Sequence, residues 1–452
     1  MQIFLHSFLQ EFNLGLLFRI YAEVTQCLYR ASHLGYGMGA NLKIGSLMSP
    51  KRLTKKPSEK KPEKTIKLVD LFAGIGGFHY GVKRAAEAIG ARVETLLVSE
   101  INQSCRDVYT KNFGCAVEGD IRKIDFKSYR SRHKIKGEAD ILTAGFPCQP
   151  FSNSGMKLGL SDPRGKFLGK IVECINEFRP KAFILENVPG MKKNGGNLKT
   201  SKMSFPSSQK IGHAMQSLER KLKTELGKKY EIIWLELDSS KFGSAQVRKR
   251  IYIIGVQKSS LRLKKIELTE LAKRLKSTEN CKKLIIDIAD KSERHNASLN
   301  FTDNQTKNLM RDIRKRKKPS YVNGMRRVGK AYLCPGGNVG QGYHAYGKAP
   351  TLTKVWARFL PIYFPTTGEV TPKPKHDDRD LRVGKSYGKG YFRRASVAEV
   401  MRLQGFKGDF KPHSVDRIAY EQAGNAVNAL VVKSIALKLF DLIFIDRRIN
   451  QN

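Results

Sequence analysis

The chain has 452 residues, of which 40% are hydrophobic, and it carries 83 Lys and Arg against 41 Asp and Glu, a formal net charge of +42 at pH 7. This apolar content is enough for a sizeable core and excludes a wholly disordered chain. The positive charge predicts a polyanionic partner, most simply a nucleic acid, with an anionic membrane surface as the alternative. Since no stretch reaches the ~18 apolar residues of a membrane span, no integral membrane protein is expected.

The seven cysteines are scattered without a CxxC pair. This pattern favours a reducing compartment, with neither structural disulfides nor a cysteine-ligated metal. In a bacterium the expected location is the cytoplasm, in association with the nucleoid.

The first 65 residues are predicted to be an extension and a linker. Apolar residues recur near every fourth position at the N-terminus, which is typical of an amphipathic helix. Residues 49–65 are rich in Lys and Pro, which predicts a disordered basic linker. Met48 is an alternative start of the chain.

Short apolar runs then alternate with stretches that can form helices. Runs with the character of buried strands occupy 66–72, 93–100, 139–145 and 181–187. A helix is predicted over 77–89, ending at Gly90. This alternation indicates a parallel sheet covered on both faces, in which ligands bind beyond the carboxyl ends of the strands.

The second half changes character near residue 258. A helix over 209–226 and strands over 230–237 and 250–255 come first. Residues 258–330 then contain 21 Lys and Arg against 8 Asp and Glu without sustained alternation of strands and helices. This predicts a second, basic domain or a long insertion. The compact pattern returns after about residue 390, and a last helix is predicted over 426–440.

Three candidate ligand-binding positions follow the first strands. Gly74, Gly76 and Gly77 stand between the first strand and a helix, where glycines let the backbone approach a ligand. Glu100 ends the second strand, where a carboxylate can accept both ribose hydroxyls. Asp120 is expected to end a short third strand, in a position that suits an adenine amino group. Together they favour an adenosine cofactor.

The fourth predicted strand ends at Cys148, and the next one ends at Glu186. If neighbouring strands end at one level, the thiol and the carboxylate face one cleft. A thiolate is a strong nucleophile, and a carboxyl group can protonate the ring that it attacks. Arg248 and Arg250 lie on the same side of a later strand, where they can grip a carbonyl oxygen or a phosphate.

Six motifs occur in order along the chain. They are DLFAGIGGF at 70–78, GFPCQPFS at 145–152, ENV at 186–188, QVRKR at 246–250, RLQGF at 402–406 and GNAV at 424–427. In this order and at this kind of spacing, the chain resembles the DNA (cytosine-5)-methyltransferases over about residues 66–440.

The resemblance implies an α/β fold, a Rossmann-like S-adenosylmethionine-dependent methyltransferase sheet with a smaller basic target-recognition domain. The catalytic domain would comprise 66–257 and be completed by 391–445 with a C-terminal helix. Residues 258–390 would form the target-recognition domain, and APTLT at 349–353 is similar to its Thr-Leu signature.

The resemblance also implies the site residues. S-adenosylmethionine, without a metal, would be bound by Phe72, Gly74, Gly77, Glu100, Ile101, Asp120, Ile121, Pro147, Asn425 and Val427. Cys148 would be the nucleophile and Glu186 would bind cytosine N3 and the amino group. Arg250, supported by Arg248, would bind O2.

The function implied is methyl transfer to carbon 5 of cytosine in a specific double-stranded DNA sequence, through base flipping and a covalent bond from Cys148 to C6. A monomer is expected, and a restriction endonuclease acting on the same site is a candidate partner. An RNA cytosine methyltransferase is the nearest alternative; the large region 258–390 favours duplex DNA, which must be read from outside. A catalytically dead regulatory protein is disfavoured because Cys148, Glu186, Arg248 and Arg250 are all present. A dinucleotide oxidoreductase is disfavoured because GxGxxG is missing.

Overall fold

The structure is a computed structural model. It describes residues 64–147, 165–192, 213–260, 265–276, 283, 285–290, 292, 296–300, 320–322, 325–327, 349, 351–354, 357–365 and 390–444. The predicted N-terminal helix, Cys148 and most of region 258–390 lie outside the described residues. The predicted linker overlaps them only at its end, where the first strand already begins at Lys64.

Ten strands and nine helices are found in these described ranges. The strands are β1 Lys64–Leu71, β2 Ala91–Ser99, β3 Ile141–Gly145, β4 Ala182–Asn187, β5 Tyr230–Asp238, β6 Lys249–Gln257, β7 Ser320–Val322, β8 Met325–Arg327, β9 Pro361–Pro365 and β10 Gly390–Arg394. The helices are α1 Gly77–Ala88, α2 Gln103–Phe113, α3 Phe126–Arg132, α4 Gly165–Phe178, α5 His213–Leu226, α6 Lys265–Lys276, α7 Val397–Leu403, α8 Asp416–Asn425 and α9 Ala429–Phe444.

The central sheet has six strands in the order β2-β1-β3-β4-β6-β5. The chain passes from β1 to β2 on one side and returns to the other side of β1 as β3. Such a reversal opens a crevice beyond the carboxyl ends of β1 and β3. The prediction of parallel strands is confirmed for β1 to β4, which pair in parallel.

The direction of β6 differs from that of these four strands, since β6 is antiparallel to both β4 and β5. Only residues 239–248 connect β5 to β6. A connection this short cannot make the helical crossover that a parallel neighbour requires. The reversal brings the start of β6 beside the end of β4, and this places the QVRKR motif next to the ENV motif.

Helices cover both faces of the sheet. Ile141 and Leu142 are consecutive in β3 and both fully buried, because they belong to separate hydrophobic clusters on opposite faces. One cluster includes residues of α3, α4 and α5, and the other includes residues of α1, α6 and α9. A third cluster joins α7 and α8 to the buried side chains of Ala349, Leu352, Ala357, Phe359, Leu360 and Ile362. The doubly covered sheet is the α/β fold that the sequence predicts.

Two further predicted elements differ in the structure. Asp120 does not end a strand: Glu118 makes a single parallel bridge to Ser99, and Asp120 caps a short 3-10 helix. The last helix does not run from Ala426, because Ala426 has an extended backbone. The Asn428 side chain accepts the Leu430 N–H at 3.1 Å, as an N-cap residue does, and α9 starts after it.

Candidate active site

The loop after β1 contains three residues with positive φ angles, a backbone conformation that residues other than glycine rarely adopt. Gly74 and Gly76 have φ angles of 55° and 89°, and Phe72 has a φ of 52°. A Cβ on Gly77 would lie 2.8 Å from the Val427 carbonyl oxygen, so this glycine lets α1 approach the turn before α9. The loop therefore depends on glycine both for its conformation and for its packing.

Glu100, which directly follows the neighbouring strand β2, is hydrogen-bonded to this loop. Its carboxylate accepts the backbone N–H of Gly74 at 2.8 Å and that of Asn102 at 2.8 Å. Ile101 beside it is 65% exposed, one of few large apolar side chains so exposed among the described residues. A Cβ on Gly74 would meet no atom within 4 Å. Open space, a positioned carboxylate and an exposed apolar side chain together fit an adenosine moiety with its ribose hydroxyls.

The other predicted cofactor residues differ from one another in their exposure and in their hydrogen-bond partners. Asp120 is engaged by Arg122, whose Nε lies 2.9 Å from both carboxylate oxygens, and this hydrogen bonding lowers the pKa of Asp120. Ile121 and Val427 are buried. Pro147 and Asn425 are exposed, Pro147 after β3 and Asn425 at the end of α8.

Glu186 and Arg250 form an ion pair near the carboxyl end of β4. The Arg250 Nε lies 2.9 Å from a Glu186 carboxylate oxygen, and each side chain is 13% exposed. A second Arg250 nitrogen donates to the Lys249 carbonyl oxygen at 2.7 Å. The structure thus brings together the two residues for which the resemblance implies contacts with the pyrimidine ring.

Cys148 itself lies outside the described residues, but the strand that leads to it is described. Gly145, at the end of β3, is in register with Glu186 of β4. The Asn187 amide donates to the Phe146 carbonyl oxygen at 3.1 Å and is 2% exposed. The sequence-based prediction of site residues does not include Asn187, although its place beside Glu186 in the ENV motif is a signal for it.

Arg248 is placed differently from Arg250. It is 3% exposed, and its guanidinium donates to three main-chain carbonyl oxygens, those of Leu352, Gly424 and Ala426. Burial, and after it the nearby Arg250 cation, lower the pKa of Arg248 to about 9. Its hydrogen bonds hold backbone segments together, whereas Arg250 holds the carboxylate of Glu186.

A buried polar cluster underlies the glycine loop, and the sequence did not reveal it. Asp70 is fully buried and accepts hydrogen bonds from the hydroxyls of Thr143 at 2.7 Å and Tyr109 at 3.2 Å. The Nδ1 of His79 lies 2.8 Å from the Tyr109 hydroxyl. Burial raises the pKa of Asp70 to about 7 and lowers the pKa of His79 to about 3. Both groups therefore favour their neutral forms in the core.

The described ranges contain neither a metal-binding cluster nor a membrane-spanning helix. No group of three or more His, Cys, Asp or Glu side chains in them could hold a metal ion. No helix in them is long and apolar enough to cross a membrane.

Comparison with known proteins identifies the family. The model of the C-5 cytosine-specific DNA methylase family matches residues 66–441. The Type II methyltransferase M.BanI of Aneurinibacillus aneurinilyticus is 29% identical over 456 aligned positions, which cover 83% of this chain and 96% of the relative. The Type II methyltransferase M.NlaIV of Neisseria lactamica is 36% identical over 195 positions, which cover 43% of this chain and 42% of the relative.

A solved structure shows the same fold. The Dnmt2 methyltransferase of S. pombe is 15% identical, with a TM-score of 0.56, over 84% of this chain and 100% of that one. The family match covers most of the chain, from β1 into α9, and includes the glycine loop, the Glu186–Arg250 pair and the turn after α8. The chain therefore belongs to the C-5 cytosine-specific DNA methylase family, enzymes that methylate cytosine in DNA with S-adenosylmethionine as the methyl donor.

Proposed function

We propose that this enzyme methylates carbon 5 of a cytosine that is flipped out of a specific double-stranded DNA sequence, with Cys148 as a covalent nucleophile. The observation that supports this proposal most directly is the ion pair of Glu186 and Arg250, at 2.9 Å, beside the strand that leads to Cys148. The pair lies at the carboxyl end of β4, whose parallel neighbour β3 ends in register with it. Base chemistry at this edge of the sheet needs a nucleophile, an acid and a cation within reach of one ring.

The chemistry required explains the choice of a thiol. Carbon 5 of cytosine is a poor nucleophile, so electron density must be pushed into the ring. The Cys148 thiolate adds to C6, the S–C6 bond forms, and the electrons of the C5–C6 double bond become available at C5. Glu186 supplies a proton or hydrogen bond to N3. When bound, S-adenosylmethionine supplies an electrophilic methyl group on a sulfonium. After the methyl transfer a base removes the C5 proton. The electron pair of the C5–H bond then restores the C5–C6 double bond, and the S–C6 bond breaks to release the Cys148 thiolate.

Arg250 is proposed to act on the same ring. Its Nε is committed to Glu186 and one Nη to the Lys249 carbonyl oxygen. The guanidinium has five N–H donors, so others are left for O2 of the base. Positive charge at O2 favours the electron-rich ring that forms when the thiolate adds. The contact with Glu186 also keeps the carboxyl group oriented before substrate arrives.

The cofactor is proposed to lie along the glycine loop and beside Glu100. Glu100 would accept the ribose hydroxyls, and the exposed Ile101 would cover one face of the adenine. Asp120 is already paired with Arg122, so an adenine amino group would share its carboxylate. The remaining predicted residues are Phe72, Gly74, Gly77, Ile121, Pro147, Asn425 and Val427, with Ile121 and Val427 acting from the core side.

Region 258–390 is proposed to recognise the DNA sequence. Its excess of Lys and Arg suits phosphate contacts, and a few side chains would read base edges in the major groove. Because C6 is inaccessible inside a duplex, the target base must be extruded at a cost of about a few kcal/mol. The relatives M.BanI and M.NlaIV are named as Type II methyltransferases, which suggests a companion restriction endonuclease; we propose a monomeric enzyme.

Mechanism-based trapping tests the covalent step. The target sequence is first found by bisulfite sequencing of host DNA after expression. A duplex with 5-fluorocytosine at that position has no C5 proton to lose, so enzyme, duplex and S-adenosylmethionine should give an adduct that survives a denaturing gel. Peptide mapping should place the crosslink on Cys148. Glu186→Gln should be trapped more slowly, since an amide cannot protonate N3.

Cys148→Ser serves as the matched control, because a hydroxyl is a far weaker nucleophile near neutral pH. It should bind the duplex without forming the adduct. Trapping at another cysteine, or turnover of Cys148→Ser at the wild-type rate, would contradict the assignment. Methylation found only in RNA would favour the alternative substrate.

A further inference from the structure

Arg248 joins three parts of the chain that are distant in sequence. From its position just before β6, one Nη donates to the Leu352 carbonyl oxygen at 2.7 Å. The other Nη donates to the carbonyl oxygens of Gly424 at 3.2 Å and Ala426 at 2.8 Å. Arg250, which pairs with Glu186, is two residues away along the same segment. The guanidinium thus links the base-binding strand, the segment around residue 352 and the turn after α8.

The acceptors explain how a buried guanidinium is tolerated here. Gly424 and Ala426 lie at the C-terminal end of α8, where carbonyl groups lack partners within the helix. The helix macrodipole places partial negative charge at the same point. Arg248 therefore donates to carbonyl oxygens that lack a donor within the helix. The exchange is mutual, because those oxygens solvate the cation in place of water.

The segment 349–354 is held against this junction by further contacts. The Ala349 N–H donates to the Ala245 carbonyl oxygen at 2.7 Å, and the Val247 N–H donates back to Ala349 at 2.7 Å. The Thr351 hydroxyl donates to the Val247 carbonyl oxygen at 2.9 Å. This segment belongs to the region proposed above to read DNA, so the recognition region is docked on the loop that carries the base-binding arginine.

The turn after α8 is packed against the same segment. A Cβ on Gly424 would lie 2.3 Å from the carbonyl carbon of Thr353, a distance that real Cβ atoms do not reach. The next residue, Asn425, is exposed and is one of the predicted cofactor ligands. The close backbone contact at Gly424 and the hydrogen bonds of Arg248 therefore fix the position of the turn after α8 relative to segment 349–354.

We propose that Arg248 is a positioning residue that couples occupation of the cofactor site to recognition of DNA. The proposal rests on the function proposed above and assigns Arg248 no contact with the base. A shift of segment 349–354 on DNA binding would be transmitted through the guanidinium to the turn at 424–426 and to the strand that bears Arg250. A lysine cannot replace it, because a single ammonium nitrogen does not offer the planar, forked donors that span two backbone segments.

The test is an equilibrium measurement of coupling. The affinity of the full-length protein for S-adenosylhomocysteine is measured by calorimetry, with and without a saturating cognate duplex. The wild type should bind it more tightly with the duplex, by about tenfold, within the usual range of coupling between sites. Arg248→Lys should bind each ligand alone but show a ratio close to one. Arg179→Lys, an exposed arginine paired with Glu138, is the matched control and should keep the wild-type ratio.

A second variant covers the case in which Arg248→Lys does not fold, as judged by circular dichroism. Thr351→Val removes only the hydroxyl bond to Val247 from a half-buried position and should reduce the ratio partially. An unchanged ratio in a folded Arg248→Lys or Thr351→Val protein, or a ratio of one in the wild type, overturns the proposal. The measurement needs no covalent step. If no 5-fluorocytosine adduct forms but the coupling is intact, only the proposed role of Cys148 is contradicted and the role of Arg248 stands.

Discussion

The buried pair formed by Asp70 and His79 predicts a specific dependence of stability on pH. Burial raises the pKa of Asp70 from 3.8 to about 7 and lowers the pKa of His79 from 6.5 to about 3. The two side chains are linked through the Tyr109 hydroxyl. The perturbations are Asp70→Asn, which removes the carboxyl group, and His79→Gln, which removes the imidazole.

The signs of the two contributions are opposite. The folded state holds the Asp70 proton more tightly than the unfolded state, so the stability due to Asp70 is complete below about pH 4 and is lost as the pH rises to about 7. The folded state binds a proton at His79 more weakly, so that stability is complete above about pH 6.5 and is lost as the pH falls to about 3. Between about pH 4 and 6.5 the two slopes cancel in the wild type.

Each variant should expose one slope of about 1.4 kcal/mol per pH unit. The free energy of unfolding of Asp70→Asn, relative to wild type, should rise by about 2 kcal/mol from pH 5.0 to 6.5. That of His79→Gln should fall by about the same amount over the same interval. The double variant should run parallel to the wild type.

The assay is urea unfolding followed by circular dichroism at pH 5.0, 5.5, 6.0 and 6.5. His133→Gln, at an exposed position after α3, controls for the loss of an imidazole. Curves for the single variants that run parallel to the wild type would refute the reasoning. So would slopes of the opposite sign.

Three further outcomes are expected. Gly424→Ala should displace segment 349–354, since its Cβ would overlap Thr353, and should lower both the melting temperature and the rate of methylation measured with tritiated S-adenosylmethionine; wild-type values of both would contradict the contact. Asn187→Ala should leave the Phe146 carbonyl oxygen without its donor, which should lower the free energy of unfolding in urea by about 1–3 kcal/mol. It should also slow trapping by 5-fluorocytosine, and a trapping rate equal to that of the wild type would show that Asn187 does not position the chain that leads from β3 to Cys148. Affinity for duplex DNA, measured by fluorescence anisotropy, should fall by about 10³ or more between 50 and 200 mM salt if six or more phosphates are neutralised, and a flat salt dependence would contradict phosphate binding.

The sequence by itself determined the features that depend on near neighbours in the chain. The helix after the glycine loop was predicted to end at Gly90, and α1 ends at Ala88 with Gly90 at a φ of 71°. Glu100 follows β2 and Glu186 lies near the end of β4, as predicted, because an apolar run ended by a polar residue marks the carboxyl end of a buried strand. The ordered motifs gave the family for the same reason, since each is a short contiguous stretch.

Only the tertiary structure decided which groups meet. The apolar pattern of β6 is the same for either direction, and its antiparallel course follows from the short connection after β5. The QVRKR motif predicts that Arg248 supports Arg250, but its partners come from distant segments: Arg248 binds the carbonyl oxygens of Leu352, Gly424 and Ala426, and Arg250 binds Glu186. Periodicity assigns a side chain to a face of a strand, but the partner on that face comes from a distant segment. Burial then determines the protonation state of each group. Nothing in the sequence around Asp70 indicates an unusual pKa, but burial in the folded core raises the pKa of this carboxyl group to about 7.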